Sequence, residues 1–208
     1  MDLHQWISLF KKRWKLIVIL PLLGLVSAGL LTTTMTKVYT SKASLFVATS
    51  SASSNPNLYN DAQFSSQRIV TYLQLAQSAL VLQPVSKALG FTVRKTEISA
   101  SSPINSVLIV VSASNPNPTK AAYMANAVAT QLSEVIPTLE ANQATFTAPT
   151  VKATIVQRAN VEKKPSSPRW KLNLALGLLF GGALGAGLAL LLETLDNTVK
   201  SVQDINDD

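Results

Sequence analysis

The chain has 208 residues, 47% of them hydrophobic and 14% charged, with a formal net charge of +7 and no cysteine. That length sets a prior of one or two domains, and the absent cysteine excludes disulfides and thiolate metal sites. The single histidine, His4, stands alone near the terminus and reads as a surface residue. Hydrophobic residues are concentrated in two blocks without any charge, Leu16–Met35 and Leu172–Leu192, which places the chain in the membrane class.

Residues 1–15 carry four Lys/Arg against one Asp, residues 37–171 thirteen against five acids, and residues 193–208 one against five. The basic middle points to an acidic partner, either anionic lipid headgroups or an anionic polymer. No basic run is interleaved with stacking aromatics, so no nucleic-acid partner is expected.

In MDLHQWISLFKKRWK, Leu3, Trp6, Ile7 and Phe10 share one helical face ahead of Lys11, Lys12, Arg13 and Lys15. The pattern suits an amphipathic helix on the cytoplasmic leaflet and equally a plain juxtamembrane anchor. Residues 16–36 are expected to form a first transmembrane helix, with Pro21 tolerated by helix neighbours. A cleaved signal peptide fits less well, because the apolar run exceeds the usual 7–15 residues or so and no A-x-A site follows. The basic cluster puts the N-terminus in the cytoplasm and residues 37–171 outside. The outer cluster Lys163, Lys164, Arg169 and Lys171 opposes that rule, but loops beyond about 60 residues largely escape it.

Between the blocks, residues 37–164 are expected to be an extracytoplasmic α/β (α+β) domain between two transmembrane helices. Val38–Ala48 reads as a strand, Thr49–Asn60 as a loop, and Asp61–Leu82 as a helix with Ile69, Tyr72, Leu73, Ala76 and Leu80 on its apolar face. Pro84 is expected to start a short helix capped by Gly90. Phe91–Ala100 and Val107–Ser112 read as strands, the second apolar enough for a sheet centre. Asn115-Pro116-Asn117-Pro118 reads as a turn into a helix, Ala121–Ile136, with Ala122, Ala125, Val128, Ala129, Leu132 and Ile136 on one face. That helix is allowed to run past Pro137 toward Asn142, and Val151–Ala159 reads as a last strand.

Residues 165–171 form a proline-bearing approach, in which Pro165 and Pro168 stop any helix or ladder from running through. The second span, residues 172–192, holds five of the eight glycines. Gly177, Gly181 and Gly185 stand four apart with Ala189 continuing the row, which predicts a close helix-packing face. Residues 193–208 form an acidic tail expected in the cytoplasm.

Catalysis has little to work with. The acids of the middle segment, Asp61, Glu97, Glu134, Glu140 and Glu162, fall on five elements, without a local histidine or cysteine. No phosphate-cradling or zinc pattern occurs. The chain is therefore expected not to be an enzyme and to use no cofactor and no metal.

Three patterns carry a family resemblance: DLHQWISLFKKRWKLIV, SASNPNPTKAAYMANAVA and KKPSSPRWKLNLALG. With the two-span architecture they resemble the polysaccharide co-polymerases, the chain-length determinant (Wzz-type) family, in its Gram-positive and actinobacterial form. The resemblance marks Pro118, Ala122, Asn126, Pro165, Pro168 and Asn173 as family-motif positions. It implies a non-catalytic scaffold, a homo-oligomer in the plasma membrane, that works with polysaccharide polymerase and export machinery and regulates the length and export of a capsular or exopolysaccharide. It also implies that the tail, through Glu193, Leu195, Asp196, Asn197 and Val199, engages a cytoplasmic bacterial tyrosine kinase. Two alternatives stay open: the membrane half of a fused tyrosine autokinase that continues beyond Asp208, and a generic two-span sensor or adhesion protein.

Overall fold

The computed structural model describes residues 3–50, 68–104, 106–143 and 150–195. It divides into two compact units, one of Met1–Met35 with Pro168–Asp208 and one of Thr36–Ser167.

The second unit is a four-stranded antiparallel sheet with helices on one face. Its strands are β1 (Tyr39–Ser50), β2 (Ile98–Ser101), β3 (Leu108–Asn115) and β4 (Thr150–Gln157), in the order β2-β3-β1-β4. The central strands alternate as a half-buried sheet requires. Ala43, Leu45 and Val47 of β1 and Ile109, Val111 and Ala113 of β3 are buried, while their neighbours face the other way. Helix α4 (Pro118–Gln143) lies over β1, β3 and β4. Its face of Ala121, Ala122, Ala125, Val128, Ala129, Leu132 and Ile136 is buried, and the alanines let the helix sit close to the sheet. Residues 68–75 are helical (α2), and α3 (Ala79–Leu89) packs on α4.

Three sequence expectations are corrected here. The helix expected over Asp61–Leu82 is broken at Ala76–Ser78, where the amide N–H groups of Gln77 and Ser78 bond back to the carbonyls of Gln74 and Leu75; residues 61–67 lie outside the described residues. Pro84 does not start α3, which begins at Ala79; the carbonyl the proline leaves free belongs to Leu80, an exposed residue that water reaches. Phe91–Ala100 is not one strand. Val93 N–H donates instead to the Ser86 hydroxyl of α3 at 3.0 Å, and Glu97 accepts from Arg94 N–H at 3.0 Å in a single 3₁₀ turn, so β2 starts only at Ile98. Gly90 ends α3 with φ of 72°, the left-handed conformation in which only glycine avoids a Cβ penalty.

The first unit is a helix pair, α1 (Leu3–Thr34) and α5 (Trp170–Thr194). Arg13 leaves helical geometry (φ −112°, ψ 16°) and breaks α1 between its basic N-terminal part and its apolar part. Arg13–Thr34 and Trp170–Thr194, 22 and 25 residues, are each long and apolar enough to cross a membrane. Their outward faces stay apolar: Leu22, Leu23, Leu30 and Leu31 on α1 and Leu179, Phe180 and Leu184 on α5 are exposed. Such all-round hydrophobicity suits lipid rather than water.

Candidate functional site

Among the described residues, three places stand out where separate segments are held together. The first is the helix pair. Gly177 packs on Gly24 and Ala28, Gly181 on Leu20 and Pro21, and Gly185 on Leu16 and Ile17, so the two helices run antiparallel. A Cβ at Gly177 would stand 2.6 Å from the Gly24 carbonyl oxygen, and one at Gly181 2.6 Å from that of Leu20. Backbone thus lies directly on backbone, which only absent side chains permit. Ala189 is fully buried on the same row. Asn173, one step further along it, donates from Nδ2 to the Thr32 hydroxyl at 3.1 Å. At the other end Glu193 forms an ion pair with Arg13 at 3.7 Å. From Asn173 to Glu193 the row advances by four residues at each step.

The second place is the start of α4. Asn117 Oδ1 accepts from the N–H groups of Thr119 and Lys120 at 2.9 and 3.2 Å, so Asn117 is the N-cap. Pro118 then occupies the first helical position, where its missing N–H costs nothing. Ala122 is buried against the sheet. Two turns into the helix, the Asn126 amide accepts from Ala159 N–H at 2.8 Å and donates to Ala159 C=O at 3.0 Å. Both backbone groups of Ala159, just past β4, are held by this one side chain.

The third place joins the segment that enters the second unit to the one that leaves it. Ser166 N–H donates to Val38 C=O at 2.8 Å, and Val38 N–H donates to Ser167 C=O at 3.0 Å. The hydroxyls of Thr40 and Ser166 lie 2.8 Å apart. Pro165, exposed, and Pro168, half-buried, flank these two serines. Leu195, past the end of α5, is 70% exposed, while Asp196, Asn197 and Val199 lie outside the described residues.

The family model "Chain length determinant protein" (Wzz) matches residues 1–89. The chain is also 30% identical to the probable capsular polysaccharide biosynthesis protein YwqC of Bacillus subtilis, an alignment that spans 98% of this chain and 82% of that protein. The chain belongs to the Wzz family. Capsular polysaccharide biosynthesis protein CapA of Staphylococcus aureus is 26% identical over 98% of the chain and 91% of its own length. CpsC of Streptococcus agalactiae is 25% identical over 95% and 86%. A solved full-length bacterial polysaccharide co-polymerase shares the fold at a TM-score of 0.51, with 14% identity over 96% of this chain and all of that one. This Wzz-family chain thus has a co-polymerase fold of mixed helix and sheet with an apolar helix near each end.

Several partners in these contacts were not singled out by sequence. Gly24, Ala28 and Thr32 stand four apart on α1, the same spacing as the α5 row, and that signal was available to find them. Tyr72 was placed on an apolar face, but its hydroxyl donates to Glu140 at 3.0 Å, and Arg68, one turn before, pairs with the same carboxylate. Burial, then the bond to Glu140, raises the Tyr72 pKa well above its ordinary value. Among the described residues no three His, Cys, Asp or Glu side chains come together.

Proposed function

We propose that this chain is a non-catalytic scaffold that regulates the length and export of a surface polysaccharide. The observation that supports it most is family membership over nearly the whole chain, with relatives whose names all place them in capsular polysaccharide biosynthesis. The chain is taken to cross the plasma membrane twice, with residues 1–15 and 193–208 in the cytoplasm and residues 37–164 outside. The Lys11, Lys12, Arg13, Lys15 cluster supports that orientation.

In this reading the paired spans act as one rod, because glycine backbones are interlocked and a polar bridge and an ion pair close its two ends. Homo-oligomers of such rods would surround the polymerase and export machinery. The tail from Glu193 would engage a cytoplasmic tyrosine kinase, with exposed Leu195 as an apolar contact.

Deleting the gene and sizing the surface polysaccharide on a gel tests the function. A changed amount or length distribution is expected, and an unaltered profile overturns the proposal. For the topology, Ser53→Cys should react with an impermeant thiol reagent in intact cells, against no cysteine background in the native chain. Reaction only after lysis reverses the orientation.

A further inference from the structure

The four strands of the sheet contain no aspartate or glutamate. Their helix-free face has a definite composition, which register fixes. Phe46 sits between Leu108 and Thr154, Ser44 between Val110 and Gln157, Lys42 beside Ser112, and Thr40 beside Ser114, while Ser112 and Val110 reach Ser99 and Ser101 of β2. Lys152 stands opposite Ala48. Lys42 and Lys152 are exposed, and Phe46 is 42% exposed although its neighbours in sequence, Leu45 and Val47, are buried.

A sheet with one wet face ordinarily carries small polar residues there. The hydroxyls of this face fit that pattern. An exposed phenylalanine between two lysines on an acid-free sheet does not follow from it. Lys42, Phe46 and the level of Lys152 follow one another along β1, six residues from first to last, about 20 Å at the rise of a strand. The line is thus cation, aromatic ring, cation, bordered by Ser and Thr hydroxyls and, on β3, by the partly exposed Leu108 and Val110.

We propose that this open face binds a strand of acidic polysaccharide, deepening the function proposed above and resting on it. Each part of the line has a counterpart in such a polymer. The ring face is electron-rich and accepts the polarised C–H groups of a sugar ring. The ammonium groups meet carboxylates several sugar units apart, in charge-assisted hydrogen bonds. The hydroxyl rows donate to and accept from sugar hydroxyls. An exposed sheet face in place of a closed pocket suits a long chain that must slide on and off. A second copy of this chain is a poorer occupant, since two faces bearing only positive charge repel.

The test uses the full chain in zwitterionic nanodiscs, titrated with oligogalacturonate, with neutral dextran oligosaccharide of matched length, and with phosphatidylglycerol vesicles. Oligogalacturonate should bind, more weakly as salt rises, and dextran at least about tenfold less well. The pair Lys42→Glu and Lys152→Glu should abolish binding, and Phe46→Ala should weaken it about tenfold while far-ultraviolet circular dichroism stays unchanged. The exposure of both lysines keeps folding intact in the charge-reversed variant. No oligogalacturonate binding, or binding indifferent to Lys42 and Lys152, overturns the inference. Charge-reversal-sensitive binding to the vesicles without oligogalacturonate binding also overturns it, in favour of a lipid surface. The gene-deletion experiment reads the scaffold role without reference to this face, so the two ideas can fail separately.

Discussion

Asn173 Nδ2 donates to the Thr32 hydroxyl, and that hydroxyl donates onward to the Ala28 carbonyl at 2.6 Å. Thr32 is 2% exposed, so the chain of bonds is sealed between the two helices. Polar bridges of this type between apolar helices average about 0.6 kcal/mol and reach about 1.7. A double-mutant cycle with Asn173→Ala and Thr32→Ala, read by unfolding in bicelles, should give a coupling energy in that range. Strict additivity would show that the bridge contributes nothing.

Gly181 faces a harder constraint, since its neighbour is backbone that cannot rotate away. Gly181→Leu should force the helices apart at a cost of about 1–3 kcal/mol. The readout is a disulfide between Thr32→Cys and Asn173→Cys, which has no background because the chain lacks cysteine. Cross-linking should be efficient with Gly181 and fall sharply with leucine there.

The α5 row was legible in sequence because glycine repeated at a spacing of four bares one stripe of backbone along an apolar helix, and a second helix is what fills such a stripe. Its partner row, Gly24, Ala28 and Thr32, has the same spacing of four but mixes three residue types, so the signal is weaker and the fold is what pairs it with α5. The same limit explains Phe91–Ala100. Its β-prone residues suggested a strand, but a hydroxyl on the neighbouring helix, Ser86, takes the Val93 N–H first. The Asn126 side chain was singled out by resemblance, while its partner Ala159 lies 33 residues away and carries no sequence signal of its own.

Asn126→Leu should cost about 1–3 kcal/mol, because the N–H and C=O of the buried Ala159 lose their partner together. Asn126→Asp should be intermediate, keeping the acceptor for Ala159 N–H and losing the donor. Hydrogen exchange at the Ala159 amide checks both: it should be fast in the leucine variant and still slowed in the aspartate one.

Gly90→Ala isolates a backbone effect. A Cβ there meets nothing within 4 Å, so the whole penalty comes from the left-handed φ of 72°. Denaturant unfolding of the Thr36–Ser167 unit in the full chain should show a loss of about 1 kcal/mol.

Tyr72 predicts an alkaline dependence. Its pKa is raised in the folded state, so above about pH 10 the unfolded chain releases the proton first and stability falls with rising pH. Unfolding free energies between about pH 9 and 12 should fall more steeply in wild type than in Tyr72→Phe, which has no phenolic proton there. Parallel curves would remove Tyr72 from the account.

The central claim is that an interlocked pair of spans lets a non-catalytic chain set polymer length. Its most direct test is the size distribution of the surface polysaccharide in a strain whose only change is Gly181→Leu. The account predicts a shifted length distribution, with sugar composition unchanged and the variant present in the membrane at wild-type level. A wild-type length distribution at that same abundance would contradict it.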